Sequence, residues 1–471
     1  MAAATMSARQ LKTWPAPEGV GLADDFAVRV RLTDGGEWQQ VPTLAFSVDR
    51  VEKGRHNVER SSVAQFDFEG EVEVEVTSLR QTPPDLPEGE EWVRIRPLSY
   101  GIVPSVSGRT VTFRLHEPRY LSIEVGGDIY HNLQLMANPM QPRLTKKEMK
   151  SRQTVYFGPG LHVIEGDSLV VGSGQTVFID GGAVVKGWLA VDDAHDVRIL
   201  GHGIVDPGRH EGIMVRRSRR VVIDGPLTTQ IPVGGSDSVT VRNARVISSY
   251  GWGDGMNVFA SSNVTYEHVF CRTSDDCSTI YCTRKGYRGS CRNIRVSDAV
   301  YWADVAHPIM IGLHGDVGVG ETIEDVVYDN IDILENPEPQ IDYKGCFGIN
   351  NGDNILVSGI TFQNIRIEAL HDGGMLFNLR VCWNRKYCNA PGRGIRDVTF
   401  RNISYDGPRP QLSLITGYNE QRRISGIRFE NLRINGRLIS DDMPGKPSWY
   451  KTADFADIFI GEHVDDVTFS R

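Results

Sequence analysis

The fold is decided by four phrases of one form: VVYDNIDI (326–333), ITFQNIRI (360–367), VTFRNISY (398–405) and IRFENLRI (427–434). Each phrase starts with an aliphatic residue, any residue and an aromatic residue, and a second short apolar run follows. Similar triplets occur at six more places, namely VRI (197–199), VVI (221–223), VTV (239–241), VTY (264–266), IRV (294–296) and VTF (467–469). The ten triplets therefore form a repeat whose intervals range from 18 to 40 residues.

Short strands at irregular spacing favour one repeat architecture over the others. Leucine-rich and helical repeats would place a segment of period 3.6 in each unit, and no such segment fills the gaps here. Propeller blades would need four strands per unit at more even spacing. We therefore predict a right-handed parallel β-helix, in which short strands stack about 4.8 Å apart and the turns vary in length. Glycine at tight corners would explain part of its abundance, 49 of 471 residues.

The segment before the repeat has a different pattern. From about residue 25 to 129 it contains short alternating runs such as FAVRVRL, VEVEVTSL and TVTFRL, separated by Gly, Pro and Asp. Alternation of period 2 at this spacing predicts an antiparallel β-sandwich. A stretch with two prolines, HNLQLMANPMQPR (131–143), marks the boundary. The sequence thus predicts an all-β chain with an N-terminal extension (1–24), a β-sandwich (25–137) and a parallel β-helix (138–471).

Composition and charge exclude several classes of protein. The 51 Lys and Arg against 60 Asp and Glu give a net charge of −9, which disfavours nucleic acid as a partner. No run approaches the ~20 apolar residues of a membrane-spanning helix, so no membrane association is expected. The N-terminus lacks a secretory signal, so we expect a cytoplasmic protein as written, and a secreted one if a leader was removed. The odd number of cysteines, seven, favours reduced thiols, and the pattern leaves the oligomeric state open.

Polar residues recur at similar distances after three successive triplets. Counted from the start of VTV, VTY and IRV, these are Asp254 at 15 residues, Asp275 and Asp276 at 11 and 12, and His307 at 13. Taken singly, an Asp-Gly or Asp-Asp pair is more often a turn than a site. Two adjacent aspartates in a strand would point to opposite faces, so this pair implies a bulge or a strand end. Agreement across three rungs of a solenoid predicts one functional patch.

Three crowded carboxylates suit two kinds of glycan chemistry. Mutual repulsion raises the pKa of at least one of them, as a general acid working near neutral pH requires. One chemistry is inverting glycoside hydrolysis, in which the carboxyl groups are about 6.5–9.5 Å apart. The other is elimination assisted by Ca2+, which also needs a basic residue near the metal. No cysteine and histidine spacing typical of a zinc site is present, and we predict no metal.

At these residues the sequence resembles glycoside hydrolase family 28, the polygalacturonases. The family pattern is Asn-Thr-Asp-Gly, then Asp-Asp-Cys about one rung later, then Gly-His-Gly followed by Ile-Gly. The matching segments here read GDG (253–255), DDC (275–277), AHP (306–308) and IG (311–312). In its two-domain organisation the chain is also similar to family 49, the dextranases and isopullulanases, whose members place a β-sandwich before the β-helix.

The resemblance implies a pectin-lyase-like solenoid and an inverting hydrolase of a polysaccharide or oligosaccharide, without a cofactor. Asp275 matches the general acid of the family, and Asp254 and Asp276 match the pair that positions and deprotonates water. His307 matches the histidine of the substrate-binding motif. The Arg-Ile-Lys triplet with which polygalacturonases bind galacturonate has no counterpart in QIDYKGCFGINN (340–351), where Lys344 is the only cation. A neutral glycan is therefore at least as consistent with the sequence as a uronate.

Two tryptophans near the patch are candidates for stacking on sugar rings. Trp252 lies two residues before Asp254, and Trp383 lies in VCWNRKYCN (381–389), beside two cations. We thus predict Trp252, His307, Lys344 and Trp383 as substrate-binding residues. Two alternatives remain open at this point: a β-helix lyase or intramolecular glycosyltransferase, and a glycan-binding solenoid without catalysis. The glycan substrate is the one partner that the sequence predicts.

Overall fold

The computed structural model describes residues 9–84, 91–208, 211–249, 251–338, 340, 343–370 and 374–471. Residues 1–8 of the predicted extension and residues 341–342 of the segment 340–351 lie outside the described residues. The described chain is almost entirely β-structure, with the short helix α1 (Lys146–Met149) and two 3-10 turns, Leu98–Tyr100 and Thr452–Ala456. No helix among the described residues has both the length and the apolar character to cross a membrane.

Eleven strands form the N-terminal part. They are β1 (Gln10–Lys12), β2 (Phe26–Leu32), β3 (Gln39–Val41), β4 (Leu44–Glu52), β5 (Arg55–Glu69), β6 (Val72–Ser78), β7 (Val93–Arg96), β8 (Ser105–Ser107), β9 (Thr110–Leu115), β10 (Arg119–Val125) and β11 (Asp128–Asn138). One sheet has the order β1-β5-β11-β10-β7 with β4 beside β5, and the other has the order β3-β2-β6-β9-β8. Alternate side chains of β6 are buried, as its valine pattern predicts. The predicted sandwich is confirmed, but it is not wholly antiparallel, because β11 pairs parallel with β5.

The predicted domain limits at residues 24 and 137 stay predictions. Strand β1 lies within the predicted extension and pairs antiparallel with β5, so this part of the extension belongs to a sandwich sheet. Strand β11 runs to Asn138, next to the predicted boundary.

The remaining strands form a single 28-stranded parallel β-helix, as predicted. They are β12 (Thr154–Phe157), β13 (Gly160–Val171), β14 (Thr176–Ile179), β15 (Ala183–Asp192), β16 (His195–Leu200), β17 (Ile204–Asp206), β18 (Ile213–Arg216), β19 (Arg219–Asp224), β20 (Leu227–Thr228), β21 (Val233–Gly234), β22 (Asp237–Arg242), β23 (Arg245–Ile247), β24 (Met256–Phe259), β25 (Ser262–Thr273), β26 (Ser278–Tyr281), β27 (Cys291–Ala303), β28 (Ile309–Gly312), β29 (Thr322–Glu335), β30 (Phe347–Asn351), β31 (Leu356–Ile367), β32 (Phe377–Val381), β33 (Gly394–Tyr405), β34 (Ser413–Thr416), β35 (Ile424–Glu430), β36 (Leu432–Ile434), β37 (Arg437–Ile439), β38 (Ile458–Ile460) and β39 (Val464–Ser470). The final hairpin, β36 with β37, is antiparallel.

The triplets that predicted the repeat lie directly above one another. The first residue of each triplet pairs with the first residue of the next, from Val197 with Val221 through to Ile427 with Val467. The aromatic residues of the later triplets stack inside the solenoid with ring centroids 4.7–5.5 Å apart. This spacing matches the distance of about 4.8 Å between neighbouring strands, so the triplet sets the register of the core.

The corner after each of these later triplets is formed by asparagine, not by glycine. Asn330, Asn364, Asn402 and Asn431 all have a positive φ of 53–56°. Asparagine tolerates this left-handed conformation better than most residues. Asn402 also donates to the Asn364 side chain at 2.8 Å, and Asn431 donates to Asn402 at 3.0 Å. The turn residue therefore both bends the chain and joins neighbouring rungs.

Two buried guanidinium groups lie at the junction of the sandwich and the solenoid. Arg96 of β7 bonds Glu124 of the sandwich and Glu335 of the solenoid, both at 2.7 Å. Arg272 of β25 bonds both carboxylate oxygens of Asp304 at 3.1–3.2 Å. We call these five residues the interface cluster. The Trp302 ring lies between the two arginines, 4.7 Å from Arg96 and 4.0 Å from Arg272, so cation–π contacts complete the junction.

Candidate active site

The predicted aspartates and His307 precede consecutive strands of one stack, β24, β26 and β28. Asp254, Asp276 and His307 each lie two residues before the start of their strand. The first residues of these strands pair in register, Met256 with Ser278 and Ser278 with Ile309. The three positions are therefore equivalent on successive rungs, and the corner before this stack is where they meet.

The three aspartates form one compact group, which we call the carboxylate cluster. One oxygen each of Asp254, Asp275 and Asp276 lies within 4.8 Å of the other two. Asp276 is buried, whereas Asp254 and Asp275 are partly exposed. Oxygen donors at this spacing also suit a hard cation such as Ca2+, which makes a test with chelators informative.

Close like charges and burial raise the proton affinity of the carboxylate cluster. Burial, together with the charge of Asp276, raises the pKa of Asp254 to about 7. A hydrogen bond from Asn257 at 2.7 Å and the cations Arg284 and Lys285 act against this rise. Burial also raises the pKa of Asp275 well above its usual value, and the charges of the other two aspartates add to the effect. The cluster thus retains protons near neutral pH.

Hydrogen bonds with His307 and Tyr281 hold the Asp276 side chain in place. Its Oδ1 accepts hydrogen bonds from the His307 backbone N–H at 3.1 Å and pairs with His307 Nδ1 at 2.7 Å, and its Oδ2 accepts from the Tyr281 hydroxyl at 3.2 Å. The His307 side chain is fully buried and packs edge-on against Tyr343. His307 therefore contacts Asp276 directly and lies beneath the cleft. Its predicted role in binding substrate stays a prediction.

Two glycines give the first motif its close packing. A Cβ on Gly253 would lie 2.0 Å from Ser248 Oγ, and one on Gly255 would lie 2.3 Å from Cys271 Sγ. The Gly253 N–H also donates to Ser274 Oγ at 3.1 Å, which ties the loop before Asp254 to the next rung. Larger residues here would push Asp254 away from its neighbours.

The carboxylate cluster opens into a cleft of about 490 Å³. The cleft is lined by aromatic, cationic and polar side chains in addition to the aspartates: Trp252, Tyr281, Arg284, Lys285, Leu313, His314, Gln340, Tyr343, Lys386 and Tyr387. Of the predicted substrate-binding residues, Trp252 lines it. Lys344 is 4% exposed and does not, and Trp383 lies in a neighbouring cavity of about 370 Å³.

Two cations of the cleft, Arg284 and Lys285, were not predicted from the sequence, whereas Lys386 is one of the two cations noted beside Trp383. Arg284 and Lys285 lie in the turn between β26 and β27, and Lys386 lies in the turn between β32 and β33. Both turns follow strands of the stack that carries the aspartates. The position of these cations after strands of the stack was the signal available in the sequence. The turns differ in length from rung to rung, and this hides the signal. Tyr281 and Asn257, which bond the aspartates, occur inside the strands themselves.

Smaller cavities lie on both sides of the cleft along the same stack. One, of about 220 Å³, is lined by Arg216, Phe259 and Tyr287 and shares Lys285 with the cleft. The other contains Trp383 and residues of β32 and β34. From β18 to β34 the stack covers seven strand spacings, or about 34 Å at 4.8 Å each. The three cavities follow one another along this face of the solenoid.

A comparison with known protein families finds a match to the central part of the chain. Residues 226–443, which contain the carboxylate cluster, match the sequence model of glycosyl hydrolases family 28. The resemblance to that family is confirmed. The match supports a glycosidase. No curated protein sequence matches the chain.

Solved structures extend the likeness to both domains. Dex49A from Penicillium minioluteum is 14% identical, with 97% of this chain and 96% of that chain covered and a TM-score of 0.60. The family 28 exopolygalacturonase from Yersinia enterocolitica is 11% identical, with 84% and 96% covered and a TM-score of 0.45. The predicted likeness to family 49 is confirmed at the level of the fold. The likeness to Dex49A is one of fold, and the family match is what supports a glycoside hydrolase.

Proposed function

We propose that the protein hydrolyses O-glycosidic bonds of a polysaccharide or oligosaccharide with inversion at the anomeric carbon. One observation carries the proposal: three carboxylates meet at the floor of an open cleft, and two of them have raised pKa values. A hydrolase needs one carboxylic acid that donates a proton and another group that accepts one from water.

The proton donor is Asp275. Burial and two neighbouring acids raise its pKa well above the usual value, which keeps it protonated. In the reaction its proton passes to the glycosidic oxygen as the bond from the anomeric carbon to that oxygen breaks. A general acid of this kind contributes about 10²–10⁴-fold to the rate.

Asp254 and Asp276 hold and deprotonate the attacking water. The His307 backbone N–H and the Tyr281 hydroxyl donate to the two oxygens of Asp276, and His307 Nδ1 pairs with its Oδ1, so this carboxyl group is fixed beside the cleft. Water attacks the anomeric carbon from the face opposite the leaving group, and its proton passes to one of these two aspartates. Asp254, with a pKa of about 7, is able to accept that proton and release it to solvent.

A retaining mechanism is the second candidate, because the carboxylate oxygens lie close together. The nearest carboxylate oxygens lie within 4.8 Å. This is closer to the about 5–5.5 Å between carboxyl groups in retaining enzymes than to the about 6.5–9.5 Å in inverting ones. In a retaining reaction one aspartate would attack the anomeric carbon and form a covalent glycosyl-enzyme. The presence of a third carboxylate, able to share the positioning of water, favours inversion.

The flanking cavities are proposed as further sugar subsites. Trp383 is 42% exposed and has the Arg385 guanidinium 4.9 Å from its ring centre, so it presents a broad face beside a cation. Phe259 and Tyr287 stack at 6.1 Å on the opposite side of the cleft. A glycan chain lying along the solenoid would contact both walls, which favours cleavage within a chain over removal of terminal units.

The deciding experiment is a screen of the purified protein against pectic, α-glucan, fructan and arabinan substrates, with NMR of the fresh product. Hydrolysis that releases the inverted anomer supports the proposal. Release of the retained anomer would favour the covalent mechanism. An unsaturated product that absorbs in the ultraviolet, formed only with Ca2+, would favour the lyase reaction instead. The cleft cations Arg284, Lys285 and Lys386 make it necessary to include both acidic and neutral glycans.

A further inference from the structure

Trp252, beside the carboxylate cluster, has an unusual backbone. Its φ is +61°, a left-handed conformation that is unfavourable for a bulky residue and persists only where the surroundings hold it. Its side chain is 53% exposed and lines the cleft. A large aromatic ring is thus presented to the cleft at an energetic cost, and something must fix its position.

The Trp252 indole contacts an aromatic ring of the sandwich domain. The His56 imidazole meets the indole edge-on, with ring centroids 4.4 Å apart and an interplanar angle of 80°. His56 lies at the start of β5, immediately after the turn that joins β4 to β5. A wall of the cleft is therefore supported by a residue of the other domain, 196 positions away in the chain (252 − 56).

His56 is itself fixed by a buried carboxylate. Its Nδ1 pairs with Asp49 Oδ2 across the β4–β5 hairpin, and the Asp49 side chain is fully buried. The other ring nitrogen, Nε2, is buried and has no hydrogen-bond partner among the described residues. The bond to Asp49 is therefore the hydrogen bond that orients the imidazole.

The hairpin is anchored to the strand that leads to Asp275. The Asp49 backbone N–H lies 3.4 Å from Asp304 Oδ2, and Asp304 is bonded by Arg272. Arg272 lies three residues before Asp275, at the end of β25. The same contacts that join the domains thus set the distance between the hairpin and the carboxylate cluster.

We propose that His56 is a positioning residue, which holds Trp252 as the stacking wall of a sugar subsite beside Asp254. The inference rests on the proposed glycosidase function and adds the sandwich to its substrate site. An edge-on aromatic contact is weak, so its loss should reduce substrate binding severalfold but leave the chemistry of the carboxylates intact.

The test compares KM and kcat on the polysaccharide that the screen identifies. We expect His56→Ala to raise KM about fivefold with kcat within about twofold of wild type. His56→Phe, which keeps a ring, should recover most of the affinity. Trp252→Ala should raise KM at least as much, and the double variant His56→Ala with Trp252→Ala should be no worse than Trp252→Ala, because both changes remove one interaction.

A matched control and a binding assay separate a failure of this inference from a failure of the proposed function. His116→Ala changes an exposed sandwich histidine and should leave KM unaltered. Thermal unfolding of each variant checks that the fold is kept. An active enzyme in which His56→Ala leaves KM unchanged, or in which the two losses simply add, overturns the inference. If wild type hydrolyses none of the glycans, the proposed function fails, and calorimetric Kd values for the same glycans test the His56 contact alone.

Discussion

Two groups of buried charge in this molecule are built in opposite ways. In the interface cluster each carboxylate faces a guanidinium, as Glu335 faces Arg96 and Asp304 faces Arg272. In the carboxylate cluster the nearest charges are other carboxylates, and they raise the pKa of Asp275 further than burial does alone. Burial raises the pKa of Glu124 as well, but there Arg96 acts against the rise. Compensated charge therefore suits the junction of the two domains, whereas the uncompensated charge of the carboxylate cluster suits the proposed proton transfer.

The largest expected effect is on turnover, from Asp275→Asn. The amide cannot donate the proton, so kcat should fall about a thousandfold or more, while the Kd for substrate changes little. Steady-state kinetics and calorimetry measure the two quantities. Asp442→Asn, at an exposed aspartate paired with Arg471, should leave both unchanged. Turnover that survives Asp275→Asn, with binding retained, would instead favour a glycan-binding solenoid.

Substitutions in the interface cluster should change the stability of the protein and not its turnover. Arg96→Met leaves Glu124 and Glu335 buried without their guanidinium, which should lower the free energy of unfolding by about 3–5 kcal/mol. Denaturant titration measures the loss, and kcat of the folded fraction should stay near wild type.

Two further variants sharpen the stability test. Adding Glu124→Gln and Glu335→Gln to Arg96→Met should restore part of the stability, because the uncompensated charges are removed. The exposed pair of Arg9 with Asp34 is the control, and Arg9→Met should change stability by less than about 1 kcal/mol. A loss from Arg96→Met no larger than this control would contradict the comparison.

The carboxylate cluster should make the protein less stable as pH rises. The pKa of Asp254 is raised from 3.8 to about 7 on folding, so between these values the folded state binds more protons than the unfolded state. Stability from this group is therefore present below about pH 4 and is lost as pH rises through about 7. Asp254→Asn should raise the thermal midpoint at pH 8 by a few degrees relative to wild type and leave it nearly unchanged at pH 4. A larger gain at pH 4 would have the wrong sign.

A smaller effect is expected from the cations around the cleft. Lys285 lowers the pKa of Asp254, so Lys285→Met should shift the acidic limb of the kcat/KM profile to higher pH, by a few tenths of a unit. The shift should shrink in high salt, since this charge is half exposed. Lys186→Met, at a surface lysine paired with Asp206, serves as the control. A shift to lower pH would mean that the limb reports another group.

The smallest expected effect is that of a chelator. Hydrolysis by proton transfer among the three aspartates should be unchanged after EDTA treatment and after addition of Ca2+. The geometry of the carboxylate cluster makes this a real test, because its oxygens lie close enough to bind one cation. Loss of activity on chelation, with recovery by Ca2+, would contradict the proposed roles of Asp254 and Asp276.

The sequence predicts most of the fold, because the fold depends on periodicity. Val239, Val264 and Ile294 recur where the stack needs an aliphatic residue, and they pair in register. The same periodicity places Asp254 and Asp276 on one corner. It gives the rung and the corner of a residue but not its depth, so the burial of His307 against Asp276 could not be predicted.

Other parts of the site have no periodic signal. Arg284 and Lys386 lie in turns whose lengths differ from rung to rung, so their distance from a triplet says little about their direction. Lys344 was selected as the single cation of its segment, and its side chain is buried outside the cleft lining. The contact of His56 with Trp252 joins two domains, and no local pattern near either residue indicates it.

The turns after the cleft strands have a consequence for how new specificities arise. The chain needs only residues 260–261 to pass from β24 to β25, but 282–290 to pass from β26 to β27 and 382–393 to pass from β32 to β33. The core register is the same in all three rungs, so insertion or deletion in these turns leaves the stacked strands undisturbed. Exchange of turns between related solenoids is therefore a route by which evolution, or an engineer, can change the sugar that is recognised while keeping the three aspartates in place.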